Sequence, residues 1–389
     1  MVFFRYILGV LMVSAMIVGC TAVDEIDRDK APLVLHPASF GDMPGWADDD
    51  HGAVMTAFLR SCERILRRSP ADRFGPDGIG GTYGDWHDLC RAAQTTDPAQ
   101  ARQFFESAFR PHLATFDGKE EKGLFTGYYE AALNGSLTRR DAYQYPLHKR
   151  PDDLVMVDLG EFRDSLRGQR VAGRVTDGRL RPYEDRAAII GGNWPHDDDD
   201  HVLVWTDDPI GAFFLQIQGS GRITLDDGDV MRVGYAGQNG HVYYAIGRAL
   251  VQRGYLAQED VSMQSIRAWL EDHPDQADEI MNTNPSYVFF RALDGAGPVG
   301  GEGLPLTPGR SLAIDRSRMP YGLPVWVDIA HPLAEEPPIR RLMVAQDTGG
   351  AIRGAVRGDF FWGHGAEAED LAGRMRSQGR YWLLLPAHL

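Results

Sequence analysis

Asp347 and Asp359 stand in the run QDTGGAIRGAVRGDFFWGHG, residues 346–365, with six glycines and the aromatic triplet Phe360, Phe361 and Trp362. Glycine is costly inside regular structure, so this density implies turns or close approach of the backbone to another group. A carboxylic acid beside aromatic rings stays protonated until it can donate, a setting suited to carbohydrate chemistry. Strand alternation over 342–347 places Met343, Ala345 and Asp347 on one face, so Asp347 ends an apolar row and reads as a sheltered, hydrogen-bonded carboxylate. Asp359 and Phe361 share a face on the following strand, which would shield the Asp359 carboxyl from water. A glycosidase ordinarily uses two carboxylates, an acid and a base or nucleophile, at a defined separation. Sequence spacing leaves that separation open, and turn or cap roles for both aspartates stay open with it.

Two more runs have the composition of a sugar-binding surface. Thr126-Gly127-Tyr128-Tyr129 sets hydroxyl and aromatic groups on an expected strand. In Gln216-Ile217-Gln218-Gly219-Ser220-Gly221, an extended chain would put Gln216, Gln218 and Ser220 on one face, a row of neutral groups suited to sugar hydroxyls and acetamides. Polar hairpin residues facing water would have the same pattern. The acidic runs His196–His201 and Asp48–His51 read as solvated loops, because alternating side chains of an extended chain cannot converge on one ion. No nucleophile elbow, phosphate loop, HExxH or CxxC pair is present, so neither a metal nor a cofactor is expected.

The chain has 389 residues, 43% hydrophobic, with 40 basic and 55 acidic side chains and a net charge of -15. A surface of that sign repels phosphate backbones and argues against nucleic acid as a partner. Arg5, the apolar run over 6–18 and then Gly19-Cys20 form a targeting segment, too short to span a bilayer comfortably. It resembles the lipobox of bacterial lipoproteins, which makes Cys20 the lipidation site, residues 1–19 a cleaved signal peptide and residues 20–50 a tether. Thr21 in place of the aspartate that commonly retains lipoproteins in the inner membrane favours the outer membrane, facing the periplasm. In that oxidising compartment Cys62 and Cys90 are a candidate disulfide, stabilising by roughly 3 kcal/mol in the chain-entropy model.

These residues need elements to hold them. Apolar periodicity predicts helices over 52–68, 86–93, 98–109, 241–254, 262–272 (Ser262 as cap) and 366–377. Strands are expected over 123–130, 287–291, 311–315, 324–329, 342–347 and 381–385. Short strands with turns at Asp177-Gly178 and Asp227-Gly228 fill the middle. The class is α+β, mainly β.

Six motifs in order, FTGYYE, FFLQIQGSGRI, YAGQNGHVYYAIGRAL, NPSYVFFR, RSLAIDRS and QDTGGAIRGAVRGDFFWG, resemble the lytic murein transglycosylase A family of outer-membrane lipoproteins from about residue 123 to the end. The resemblance implies a double-psi β-barrel formed by both chain ends, with a second β-rich domain inserted and a groove between them. The expected division is 51–130 for the helices and first part of the barrel domain, 131–240 for the insert and 241–389 for the rest. It also implies cleavage of the β-1,4 bond between N-acetylmuramic acid and N-acetylglucosamine without water, giving 1,6-anhydromuramic products. Asp359 matches the family's single acid and base, Asp347 and Asp315 its supporting acids, and Thr126, Tyr128, Gln218 and Ser220 its glycan-binding residues. Peptidoglycan strands are then the main partner, with cell-wall synthesis or division proteins as further candidates. The rival readings are a two-carboxylate peptidoglycan hydrolase and a non-catalytic glycan-binding lipoprotein. The tract IIGGNWPHDDDDH is more acidic than the family leads one to expect.

Overall fold

A computed structural model describes residues 31–166, 169–295 and 297–389. The expected signal peptide and the expected lipidation site, Cys20, lie outside the described residues. From residue 33 the expected tether is part of the fold. Strand β1 (Leu33–Pro37) pairs antiparallel with β2 (Phe109–Phe116), and Met43 and Trp46 are buried in the main core. The run over 48–51 is also not the solvated loop expected. The Asp49 carboxylate takes Nη1 and Nη2 of Arg310 at 2.7 and 2.9 Å and the Leu342 amide at 2.8 Å, and His51 is buried beside it. A partner far along the chain neutralises this charge, which local composition cannot reveal.

Three helices connect β1 to β2. Along α1 (Met55–Ile65), Met55, Phe58, Cys62 and Ile65 recur at helical spacing on the buried face. Thr82 and Asp85 cap α2 (Tyr83–Thr95) reciprocally, a capping box. α3 (Ala101–Ala108) follows. A disulfide between Cys62 and Cys90 staples α1 to α2.

β3 (Gly123–Ser136) serves two cores: Phe125 lies in the main one, Tyr129 and Ala131 in a second with Val204, Leu215, Ile223 and Phe290. The middle of the chain supplies β4 (Tyr145–His148), β5 (Val155–Asp158), β6 (Arg170–Thr176), β7 (Arg179–Pro182), α4 (Arg186–Ile190) and β8 (Val202–Thr206). β5, β6 and β7 form a small separate sheet, and Asp177 and Gly178, both at positive φ, make the expected turn between β6 and β7. Then come α5 (Pro209–Gln218), β9 (Ser220–Leu225), β10 (Val230–Gln238), α6 (Ile246–Gln252), α7 (Met263–Asp272), α8 (Pro274–Asn282) and β11 (Val288–Ala292). Ser262 caps α7 as expected. β9 is parallel to β3 and antiparallel to β10, and β10 pairs with β11. A boundary at 240 therefore falls between two paired strands.

Two local expectations are corrected. Residues 216–218 close helix α5 instead of extending as a strand, so Gln216, Gln218 and Ser220 share no strand face. Asp208 accepts the Gly211 amide at 2.8 Å, Pro209 opens the helix, and Gly219 ends it at a φ of 78°. Those are ordinary start and stop signals. The helix expected over 241–254 begins only at Ile246, and Val242 is 84% exposed. Asn284 accepts the Tyr244 amide, and Asn239 bonds Glu184, Pro285 and Tyr287, holding the preceding backbone out of the helix.

The C-terminal part adds β12 (Ser311–Ile314), β13 (Pro324–Ile329), β14 (Ile339–Asp347), β15 (Arg357–His364), α9 (Ala366–Arg374) and β16 (Arg376–Pro386). Pairings run β3–β15–β12–β14–β13–β16, and β16 pairs again with β3 over Gly123 to Thr126. Phe125, Leu312, Val325, Val344, Phe360 and Leu383 from these strands pack together fully buried. Each such side chain contributes about 1.5–3 kcal/mol on burial, so the strands that carry the two aspartates rest on a rigid core.

Candidate active site

Cross-strand register sets Asp347, Ala313, Asp359, Thr126 and Arg376 in one line across β14, β12, β15, β3 and β16. Neighbouring strands lie about 4.8 Å apart, which puts the Asp347 and Asp359 backbones roughly 10 Å from each other. Ala313 is the residue in register between them. The register of β12 against β14 steps from Ala345 to Asp347, so Gln346 is bulged out of the alternation expected over 342–347. The Gln346 amide is fully buried, donating to Ala57 O at 2.9 Å and Ser61 Oγ at 3.0 Å and accepting from Ser311 Oγ at 2.6 Å. The bulge re-aims Asp347 toward the line of site residues.

Polar groups surround the Asp359 carboxyl. Its Oδ1 accepts from the Thr126 hydroxyl and from Nη1 of Arg357, while Nη2 of Arg357 donates to Thr126 Oγ1 at 2.9 Å. The side chains of Arg357 and Asp359 are 12% and 18% exposed, so the triangle is sheltered yet open to a ligand. Phe361, expected to shield Asp359, instead packs against Tyr128 with ring centroids 5.1 Å apart. Arg357 was missed from the sequence. Its position two residues before Asp359 on one strand was the available signal. Gly127 lets Trp362 and α9 close on β3, since a Cβ there would come within 2.7 Å of Trp362 Nε1 and 2.8 Å of Ala372 Cα.

Asp347 is a different carboxyl. Its Oδ1 accepts the amides of Gly301 at 2.7 Å and Thr348 at 2.8 Å. Burial pushes its pKa up to about 6, and the nearby Asp359 charge adds to this against the opposing pull of the two amides and Tyr128. Burial likewise drives the Tyr128 phenol well above its ordinary range, helped by Asp347 beside it. The Tyr128 hydroxyl faces Asp347 but completes no hydrogen bond of normal geometry among the described residues.

The structure thus brings Asp347, Asp359, Thr126 and Tyr128 together. The other three candidates are buried or engaged with other partners. Asp315 is 2% exposed and fully engaged: Oδ1 takes the Ser317 amide and hydroxyl at 2.9 and 2.7 Å, and Oδ2 takes the Gly354 amide at 2.9 Å. It ties the turn after β12 to the loop before β15. Gln218, at the end of α5, accepts the Tyr129 amide at 3.1 Å, and Ser220 is buried at the start of β9 opposite Gly234. Among the described residues no group of acidic, histidine or cysteine side chains could hold a metal ion.

Two acids on a mixed sheet, flanked by hydroxyl, guanidinium and aromatic groups, fit the class of polysaccharide-handling proteins. Comparison narrows this. The model of the MltA specific insert domain matches residues 124–291, and that of the 3D domain matches residues 310–385. The membrane-bound lytic murein transglycosylase A of Escherichia coli (strain K12) is 31% identical over 98% of this chain and 97% of its own length. Among solved structures, a membrane-bound lytic murein transglycosylase from Agrobacterium tumefaciens superimposes with a TM-score of 0.80 at 36% identity, covering 90% of this chain and 97% of the other. E. coli MltA with bound chitohexaose gives 0.67 at 28% identity, covering 92% and 94%. The chain belongs to the lytic murein transglycosylase A family.

Proposed function

We propose that this protein is a peptidoglycan lytic transglycosylase in which Asp359 is both acid and base. Protonated Asp359 donates to the oxygen linking N-acetylmuramic acid to N-acetylglucosamine, and the C1–O bond breaks toward an oxocarbenium-like centre. The C6 hydroxyl of the same muramic ring attacks C1, and its proton returns to the Asp359 carboxylate. The product is a 1,6-anhydro sugar, no water is consumed, and the acid is regenerated. Because the nucleophile comes from the substrate, a second catalytic carboxylate is not needed. Arg357 stands where it can stabilise the transient carboxylate, and with Thr126 it holds Oδ1 as an acceptor, which leaves Oδ2 to carry the proton.

The observation that carries this reading is the unequal setting of the two acids. Asp359 is partly exposed and bonded by side chains, Thr126 and Arg357, whereas Asp347 has one oxygen committed to two backbone amides. Asp347 suits orientation of the sugar better than activation of water. Bound chitohexaose in the E. coli relative supports a glycan ligand for the same groove. The return pairing of β16 with β3 supports a six-stranded double-psi barrel under the site. The apolar run before Cys20 supports a lipid anchor in the outer membrane, and among the described residues no helix is long and apolar enough to cross a membrane.

The test is the mass of what the full-length, detergent-solubilised protein releases from purified sacculi. Fragments one water lighter than simple hydrolysis products support the proposal. Reducing-end products would turn it toward a two-carboxylate hydrolase, and binding without release toward a glycan-binding lipoprotein.

A further inference from the structure

Past Thr126 the line of site residues ends at Arg376 on β16, and Arg376 also lines a hollow of about 260 Å³. The opposite wall comes from the second β-rich region: Phe214 and Ile217 of α5, then Tyr243, Ile246 and Arg248. Ile217 and Tyr243 are 39% and 36% exposed, so apolar surface faces solvent there. Neither Arg248 nor Arg376 makes an ion pair or side-chain hydrogen bond among the described residues, and both guanidinium groups are exposed. Two uncommitted arginines over an apolar floor, in a chain of net charge -15, form a local exception to the surface charge. Such a site favours a flexible ligand with both carboxylate and aliphatic groups.

We propose that this hollow binds the acidic peptide carried on the lactyl group of muramic acid, with Arg248 and Arg376 receiving its carboxylates. The proposal rests on the transglycosylase reading, which places muramic C1 at Asp359. Arg376 is two strands from Asp359, roughly 10 Å at the usual strand spacing. A lactyl group followed by one or two residues spans that distance, at about 3.5 Å per extended residue. Glycan cleavage and peptide recognition then occupy adjoining parts of one groove, and bonds beside peptide-bearing muramic residues are preferred.

The test compares two substrates for the full-length protein: glycan strands with their peptides, and the same strands stripped by an amidase. For the wild type, kcat/KM on peptide-bearing strands should exceed that on stripped strands about tenfold, as expected for two partly exposed ion pairs. In the double variant R248Q/R376Q the ratio should fall toward one, mainly through KM, and R376E should lower it further than R376Q. A wild-type ratio near one overturns the proposal while leaving the glycan reading intact. Equal losses on both substrates in the double variant also overturn it, pointing to a glycan or structural role. Cleavage of neither substrate by the wild type overturns both readings.

Discussion

Replacing Asp347 with Asn should make the protein more stable at neutral and alkaline pH. The carboxyl is held up to about 6 by burial, against about 3.9 in an unfolded chain. The unfolded state therefore releases this proton first as pH rises, so it binds fewer protons than the folded state between about pH 4 and 6. Stability falls through that window and levels off above it, at a penalty of about 3 kcal/mol if the full shift applies. Partial exposure of Asp347 screens the charge and reduces the expected effect to about 1–2 kcal/mol. Asn removes the ionisation and keeps the shape, and its Oδ1 can still accept the amides of Gly301 and Thr348. Denaturant unfolding of wild type and Asp347→Asn at pH 4 and pH 8 reads this directly. The variant should gain about 1–2 kcal/mol at pH 8 and almost nothing at pH 4, while losing activity at both. Destabilisation at pH 8, or the same difference at both pH values, would refute the assignment of a sheltered, ionisation-penalised carboxylate.

Arg310→Met leaves Asp49 buried without its bidentate partner and should cost about 3–5 kcal/mol in denaturant unfolding. A loss under about 1 kcal/mol would mean that Asp49 reaches water. Thr126→Val removes the hydroxyl that links Asp359 to Arg357 and should lower kcat about 10- to 100-fold, with Thr126→Ser recovering most of it. An effect confined to KM would instead make Thr126 a glycan ligand. The paired change Cys62→Ser and Cys90→Ser opens a link across 28 residues and should lower stability by about 3–4 kcal/mol. An unchanged melting temperature under reducing and oxidising conditions would contradict that.

The strand Pro324–Ile329, an apolar run buried on both faces, and the hairpin turn at Asp177-Gly178 were legible because local pattern and tertiary burial agree there. Helix α5 was not, although Asp208, Pro209 and Gly219 announce it, because its hydrophobic run with alternating glutamines also fits a strand. The bulge at Gln346 escaped because it answers to a buried network with Ala57, Ser61 and Ser311, distant in sequence. Asp49 was misread for the same reason, its partner lying 261 residues away. At the site, Asp347 is the sheltered, hydrogen-bonded acid expected, although the bulge at Gln346 takes it out of the apolar row on which that expectation rested. The guanidinium beside Asp359 was not expected, because composition drew attention to Phe361 and Trp362. The aromatic rings turn inward to pack against Tyr128 and Phe360, and Arg357 takes the place beside the acid.

The central claim is that one carboxyl, Asp359, carries both proton transfers. The direct measurement is the rate at which Asp359→Asn releases 1,6-anhydromuramic ends from sacculi, counted by mass spectrometry and set against wild type. Loss of the acid and base together should lower that rate by at least about a thousandfold, while the variant unfolds normally and still binds sacculi. Release of anhydro products by Asp359→Asn at a rate near that of wild type would contradict the claim and move the chemistry to another group.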